Sequence, residues 1–193
     1  VSGDFTAARK LLQEAKKQNP DSAAPYLVEA RHFEQQGAFP QAAELYQLAD
    51  EKQASAEIAN GYARALQRAG RNEEALTYLE TATERYPDNA QLRLGMAVLQ
   101  QSSGNEQNAR ANYEKLLSAL PEHPVVLNNL AWLYHEDGDE RAISLAQKAY
   151  ELNPENAAVV DTYGWIMLKS GNHQQSVPIL EKAHELQPDS EEI

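Results

Sequence analysis

Five histidines, His32, His123, His135, His173 and His184, are the side chains best suited to hold a metal or move a proton near neutral pH. A zinc site built on them needs ligands brought together at a spacing such as His-Glu-x-x-His on one helix face, and no two of the five share a helix turn. They read as exposed loop or groove histidines. The run His135-Glu136-Asp137-Gly138-Asp139-Glu140 gathers the carboxylates that calcium favours. A calcium loop, however, alternates its ligands and closes on a glutamate at its twelfth place, and here Gln147 and Lys148 follow. A solvated turn is expected instead. The glycines are isolated, so no phosphate cradle forms. Serines such as Ser102 and Ser103 have no base at a useful spacing. The expectation is a chain with no catalytic residue, no cofactor and no metal.

The elements that would position any site follow from a period. Glycines stand at Gly3, Gly37, Gly70, Gly104, Gly138 and Gly171, at intervals of 33 or 34 residues. Pro20, Pro87, Pro121, Pro154 and Pro188 keep the same step, with Ala54 where one proline is missing. So do the small residues Ala30, Ala63, Ala97, Ala131 and Gly164, and a further set of Ala8, Ala42, Ala75, Ala109, Ala142 and Ser176. A period of this size marks a supersecondary unit that buries its apolar face only by stacking on its neighbours. In residues 90–123 the apolar and small positions predict a helix to Ser103, buried over much of its circumference. Gly104 ends it in the left-handed region that glycine alone enters without strain. A second helix runs from about Glu106 to Ala119, carrying Ala109, Tyr113, Leu116 and Leu117, and Pro121 stops it. The short link makes the two an antiparallel hairpin, with Ala97 and Ala109 where the backbones approach.

This pattern resembles the tetratricopeptide repeat. Tyr62-Ala63, Leu66, Gly70, Ala75, Leu79, Ala82 and Pro87 match that family's small, large, glycine, alanine and proline positions in order. The resemblance implies an all-α fold, a right-handed superhelical solenoid of antiparallel helix hairpins. The array reads as one domain over 1–193, with a half repeat at 2–22 and full repeats at 23–55, 56–89, 90–123, 124–156 and 157–190. The first helix of each pair is expected to line a concave groove.

The residue after each small position then faces that groove: Arg31, Arg64, Val98, Trp132 and Trp165. Four residues earlier on the same face come Leu27, Asn60, Leu94, Asn128 and Asp161, and Arg68 joins them. The N-terminal part is basic and amide-bearing, the middle aliphatic, the C-terminal part aromatic. Side-chain amides both donate to and accept from a peptide unit, and tryptophans anchor interfaces. An extended protein or peptide segment is the expected ligand, its acidic or carboxy-terminal groups near Arg31, Arg64 and Arg68. Glu34 and Glu57 are the candidate local counter-ions. Its apolar or aromatic groups belong near Trp132 and Trp165. The alternative is that both tryptophans are packed between hairpins. A chaperone-type carboxylate clamp is not expected, because Gln91, Gly95, Ala158 and Thr162 stand where its basic and amide partners belong.

A narrower resemblance covers the last two repeats. Leu127-Asn128-Asn129-Leu130-Ala131-Trp132 and Val160-Asp161-Thr162-Tyr163-Gly164-Trp165 look like the paired signature of bacterial tetratricopeptide lipoproteins. Some of these are linked to exopolysaccharide export and the PEP-CTERM sorting system, and others are outer-membrane-tethered adaptors for periplasmic proteases. The resemblance implies a periplasmic or outer-membrane-associated place in preference to the cytoplasm. A formal charge of −12 argues against nucleic acid and anionic membrane surfaces as partners. No apolar run nears the roughly 18 residues that span a bilayer. The absence of cysteine excludes disulfides and thiolate metal sites and leaves the compartment open.

Val1 and the terminal Glu191-Glu192-Ile193 lack polar capping helices, so the chain is expected to be a piece of a longer protein. Its ends, including Ile179 and Ala183 on the last hairpin, are expected to be uncovered and to self-associate head to tail. Pro178 predicts that the last helix starts late or kinks at Ser176–Pro178. Three functional readings stay open: a non-catalytic scaffold binding a partner segment, a regulatory or targeting domain of a larger enzyme such as a glycosyltransferase, and a self-assembling spacer.

Overall fold

The computed structural model describes residues 2–188. The expectations about Val1 and Glu191-Glu192-Ile193, and the end of the last repeat at 190, lie outside the described residues. Within them every regular element is a helix. After α1 (Ser2–Gln18) come five pairs: α2 (Ala24–Gln35) with α3 (Phe39–Lys52), α4 (Ala56–Arg68) with α5 (Asn72–Arg85), and α6 (Ala90–Ser102) with α7 (Glu106–Ala119). The last two are α8 (Pro124–Glu136) with α9 (Arg141–Leu152) and α10 (Ala157–Lys169) with α11 (His173–Leu186).

Local chemistry sets both ends of these helices. Between the helices of each pair, Gly37, Gly70, Gly104, Gly138 and Gly171 hold φ between +71° and +87°, a region closed to most side chains. Gly3, first in the series, lies inside α1 instead. Between pairs the chain places a cap. Ser55 Oγ accepts the Ile58 amide at 3.2 Å, Asn89 Oδ1 the Leu92 amide at 2.9 Å, and Asn156 Oδ1 the Val159 amide at 3.3 Å. Each cap contributes about 1 kcal/mol. At the matching place before α8 stands His123, and Pro124 opens the helix.

The described chain forms two compact units that divide between Leu99 and Gln100. In the first, α2–α5 and the start of α6 enclose a core that includes Ala30, Ala43, Tyr46, Ala63, Leu66, Leu79 and Leu99. Alanine at the crossings lets helix backbones approach. The leucines supply about 1.5–3 kcal/mol each on burial. α1 is fastened to α2 by an ion pair between Lys16 and the buried Glu29, and Lys16 Nζ also lies 4.1 Å from the Tyr26 ring centroid. In the second unit Tyr113, Leu127, Leu130, Val160 and Ile166 are fully buried. Gly164 lets α11 close on α10: a Cβ there would meet Leu180 Cδ2 at 2.8 Å.

The late start expected of the last helix and the open place expected of Ala183 are corrected. α11 begins at His173, two residues after its turn glycine as α3, α5 and α7 do, and is helical through Leu186 with Pro178 inside it. The late start does not occur because Gln174, whose carbonyl loses its amide partner to the proline, is exposed to water, as is Pro178. Ala183 does not belong to an open face, and Ile179 is half-buried. Ala183 is buried, and Ile179 Cγ2 lies 3.2 Å from a Cβ built at Gly164.

Candidate binding surfaces

In the first unit the groove positions meet a pocket of about 300 Å³, lined by Leu27 and Arg31 of α2, Tyr46 of α3, Glu57, Asn60, Gly61 and Arg64 of α4, and Asn89 and Gln91 at the start of α6. Its floor depends on Gly61. The Tyr46 ring crosses α4 so closely that a Cβ at 61 would lie 2.5 Å from Cε1. The phenol, almost wholly buried, donates to Glu34 Oε2 at 2.6 Å. Burial first, then that hydrogen bond to a carboxylate, pushes its pKa up to about 12.

The arginines of this pocket are spoken for. Arg64 makes a two-toothed contact with Glu34, Nε to Oε1 at 3.0 Å and Nη2 to Oε2 at 3.1 Å. Arg31 pairs with Glu57. The two pairs run in opposite directions, each joining α2 to α4. Arg68 stacks on Phe39, 4.7 Å from the ring centroid. Arg31 and Arg64 are thus each paired with one of the two glutamates named as candidate counter-ions, while Arg68 is held by a ring. The amides keep capacity. Asn60 Nδ2 donates to the Ala56 carbonyl at 2.8 Å and to Asn89 Oδ1 at 3.4 Å, and Asn60, Asn89 and Gln91, which all line the pocket, have further amide hydrogen-bonding groups. Leu94 and Val98, on α6, are half-buried.

In the second unit the remaining candidates lie at matching places on α8 and α10, which pack directly on each other. Trp132 is half-buried, its ring centroid 6.2 Å from that of His135. Trp165 is 37% exposed, and Lys169 Nζ sits 4.4 Å over its ring. Asp161 is half-buried. Asn128 begins a one-way chain of hydrogen bonds. Its Nδ2 donates to Asn129 Oδ1 at 3.3 Å, Asn129 Nδ2 to the Tyr113 hydroxyl at 3.0 Å, and that hydroxyl to Gln101 Oε1 at 2.9 Å. At the head of the chain Asn128 Oδ1 is buried and accepts from nothing. Burial pushes the Tyr113 phenol up to about 12.

Sequence reasoning passed over Tyr46, Gly61, Asn89 and Gln91 as pocket residues. Gly61 carried a signal, since glycine in a helix interior marks a close approach. Asn89 carried another: Ser22, Ser55, Asn89 and Asn156 repeat in one register at helix starts. The pairing of Arg64 with Glu34, thirty residues away, left none. Around the acidic turn Arg110 pairs with Asp137, and Arg141 holds Asp139 through Nη2 at 2.6 Å, keeping that carboxyl near 2. Among the described residues no three His, Asp or Glu side chains converge as metal ligands would, and no helix is long and apolar enough to cross a membrane.

A sequence profile of the tetratricopeptide repeat matches residues 1–57 and 62–124, well over half of the chain. Among curated proteins the chain is similar to the probable biofilm formation methyltransferase WspC of Pseudomonas putida, 34% identical over 85 residues that make up 44% of this chain and 20% of that one. It is also similar to the TPR repeat-containing protein PA4667 of Pseudomonas aeruginosa, 24% identical over 133 residues, 67% of this chain and 22% of that one. The chain thus spans about a fifth of the length of each relative. Among solved structures it resembles YrrB, described as a TPR protein with an unusual peptide-binding site, with a TM-score of 0.72 at 18% identity over 93% of both chains. That likeness is one of fold.

Proposed function

Because the chain belongs to the tetratricopeptide repeat family, we propose that it is a non-catalytic scaffold holding an extended segment of a partner protein along its first helices. The observation that carries this reading is the pocket of the first unit, lined by the amide side chains of Asn60, Asn89 and Gln91 together with Tyr46. Such groups match the main chain of a bound peptide and show no preference for a free terminus. The reciprocal Arg–Glu pairs join α2 to α4 at the rim of the site. YrrB, of the same fold, is described by its peptide-binding site. We place the protein in a Gram-negative envelope assembly, on the paired Asn-Asn-Leu-Ala-Trp and Asp-Thr-Tyr-Gly-Trp runs. Association of copies through the hairpin ends belongs to the same proposal.

A second reading has its own support. A methyltransferase of which the chain covers a fifth contains a similar stretch, so this array also fits as the regulatory or targeting part of a larger enzyme. Isothermal titration decides the shared core of both. Peptides selected on the wild-type protein from a random display library should lose about tenfold or more in affinity with Asn60→Ala combined with Gln91→Ala, at an unchanged melting temperature. Equal binding by that variant would refute the first-unit site.

A further inference from the structure

The two units differ in charge. Acidic residues outnumber lysine and arginine more than two to one in residues 100–193, and the two classes come near to balance in residues 1–99. The strip shared by α8 and α10 reflects this. Along α8 it runs Val125, Trp132, Glu136; along α10, Asp161, Trp165, Lys169. Its one lysine is already used, with Nζ 4.4 Å over the exposed face of Trp165. A tryptophan face attracts a cation through its ring quadrupole. Lys169 therefore shows what kind of group that face accepts. Near the other tryptophan, Glu136 occupies the place that Lys169 holds beside Trp165, and Val125 is 41% exposed. Beneath the strip every donor of the Asn128–Asn129–Tyr113–Gln101 chain points inward, so the chain ends on an acceptor without a donor, Asn128 Oδ1. A buried acceptor left so costs about 1–3 kcal/mol until an N–H or O–H reaches it.

The acidic balance, Glu136 and the lysine-bearing ring ask for a cation, and the orphan acceptor asks for an N–H or O–H donor. We propose that the α8–α10 strip binds a partner segment bearing lysine or arginine, one cation lying on Trp165 in place of Lys169 and a second between Trp132 and Glu136, with a donor reaching Asn128 Oδ1. This rests on the peptide-scaffold reading above and reverses the polarity that the arginines of the first helices suggest. Arg31 and Arg64 are already paired with Glu57 and Glu34.

The test uses the whole protein and a display library of random twelve-residue peptides. Peptides retained by the wild type should be enriched in lysine and arginine. Their affinity should fall at least fivefold between 50 and 300 mM salt, because the attraction is screened. Trp165→Ala should weaken them about tenfold or more, and Glu136→Gln about threefold. Lys169→Ala should tighten them severalfold by clearing the ring, a gain that no loss of folding imitates. Enriched peptides that are acidic or neutral, yet still depend on Trp132 and Trp165, would overturn this inference and leave the scaffold reading standing. Peptides indifferent to Trp132, Trp165, Asn60 and Gln91 alike would overturn both. Unchanged or weaker binding of basic peptides by Lys169→Ala would also sink the proposal.

Discussion

Gly61 occupies the middle of α4, where glycine weakens a helix by about 0.5–1 kcal/mol relative to alanine. The compensation is room for the Tyr46 ring, since a Cβ there would lie 2.5 Å from Cε1. Gly61→Ala should therefore lower stability by about 1–3 kcal/mol through overpacking. Gly95, also inside a helix, supplies the control. Its nearest neighbour to a Cβ is Leu79 Cδ1 at 3.9 Å, so Gly95→Ala should be neutral or stabilise by up to about 1 kcal/mol. Denaturant titration of the pair checks both, and a Gly61→Ala variant as stable as wild type would show that Tyr46 does not need that space. The tryptophans divide in the same manner. With 37% of its surface exposed, Trp165→Ala should cost well under 1 kcal/mol of stability and about 2 kcal/mol of binding. Trp132, half-buried, should cost about 1–2 kcal/mol of stability as well. A sharp fall in melting temperature for Trp165→Ala would return that residue to the core.

Helices were the legible part of this sequence, because their ends answer to local rules. A left-handed residue is needed where each hairpin turns, and five of the six periodic glycines stand there. Gly3 keeps the period without the turn, so periodicity by itself did not settle its role. Pro178 misled in the opposite direction, since a rule about hydrogen bonds takes no account of where the freed carbonyl points. In α11 the proline and Gln174 both meet water. Pro178→Ala should then raise stability by about 1–2 kcal/mol, less than the ~3 kcal/mol of a buried helix interior, because the carbonyl is hydrated and proline restrains the unfolded chain. Loss of stability in that variant would mean the ring packs on a neighbour. On α6 Ala97 is wholly buried, and Ala97→Leu should cost about 1–3 kcal/mol by thermal melting. No change would mean that the core has room there for a larger side chain.

At the scale of the molecule the candidate surfaces were only half legible, for a physical reason. Which residues lie on the outward face of a first helix follows from the repeat, but their charge state depends on partners in the next repeat. Arg31 with Glu57, and Arg64 with Glu34, are joined 26 and 30 residues apart, at distances set by hairpin stacking. The same stacking buries phenols in both units. Tyr46 and Tyr113 are each raised to about 12, and Tyr78, half-buried and donating to Asp50 Oδ2 at 3.0 Å, is raised further. A phenol whose folded pKa exceeds its unfolded value near 10 stabilises the fold fully below pH 10, and that stabilisation is lost as pH climbs from 10 toward 12. Stability should thus hold steady up to about pH 9.5 and then fall, with both units affected. Phenolate absorbance near 295 nm should show Tyr46, Tyr78 and Tyr113 ionising only as helix content is lost. Tyr46→Phe and Tyr113→Phe should move the onset of unfolding to higher pH, since each removes one group that gains by ionising in the unfolded chain. Ionisation of all nine tyrosines at pH 10 with the helices intact would contradict the burial of these phenols.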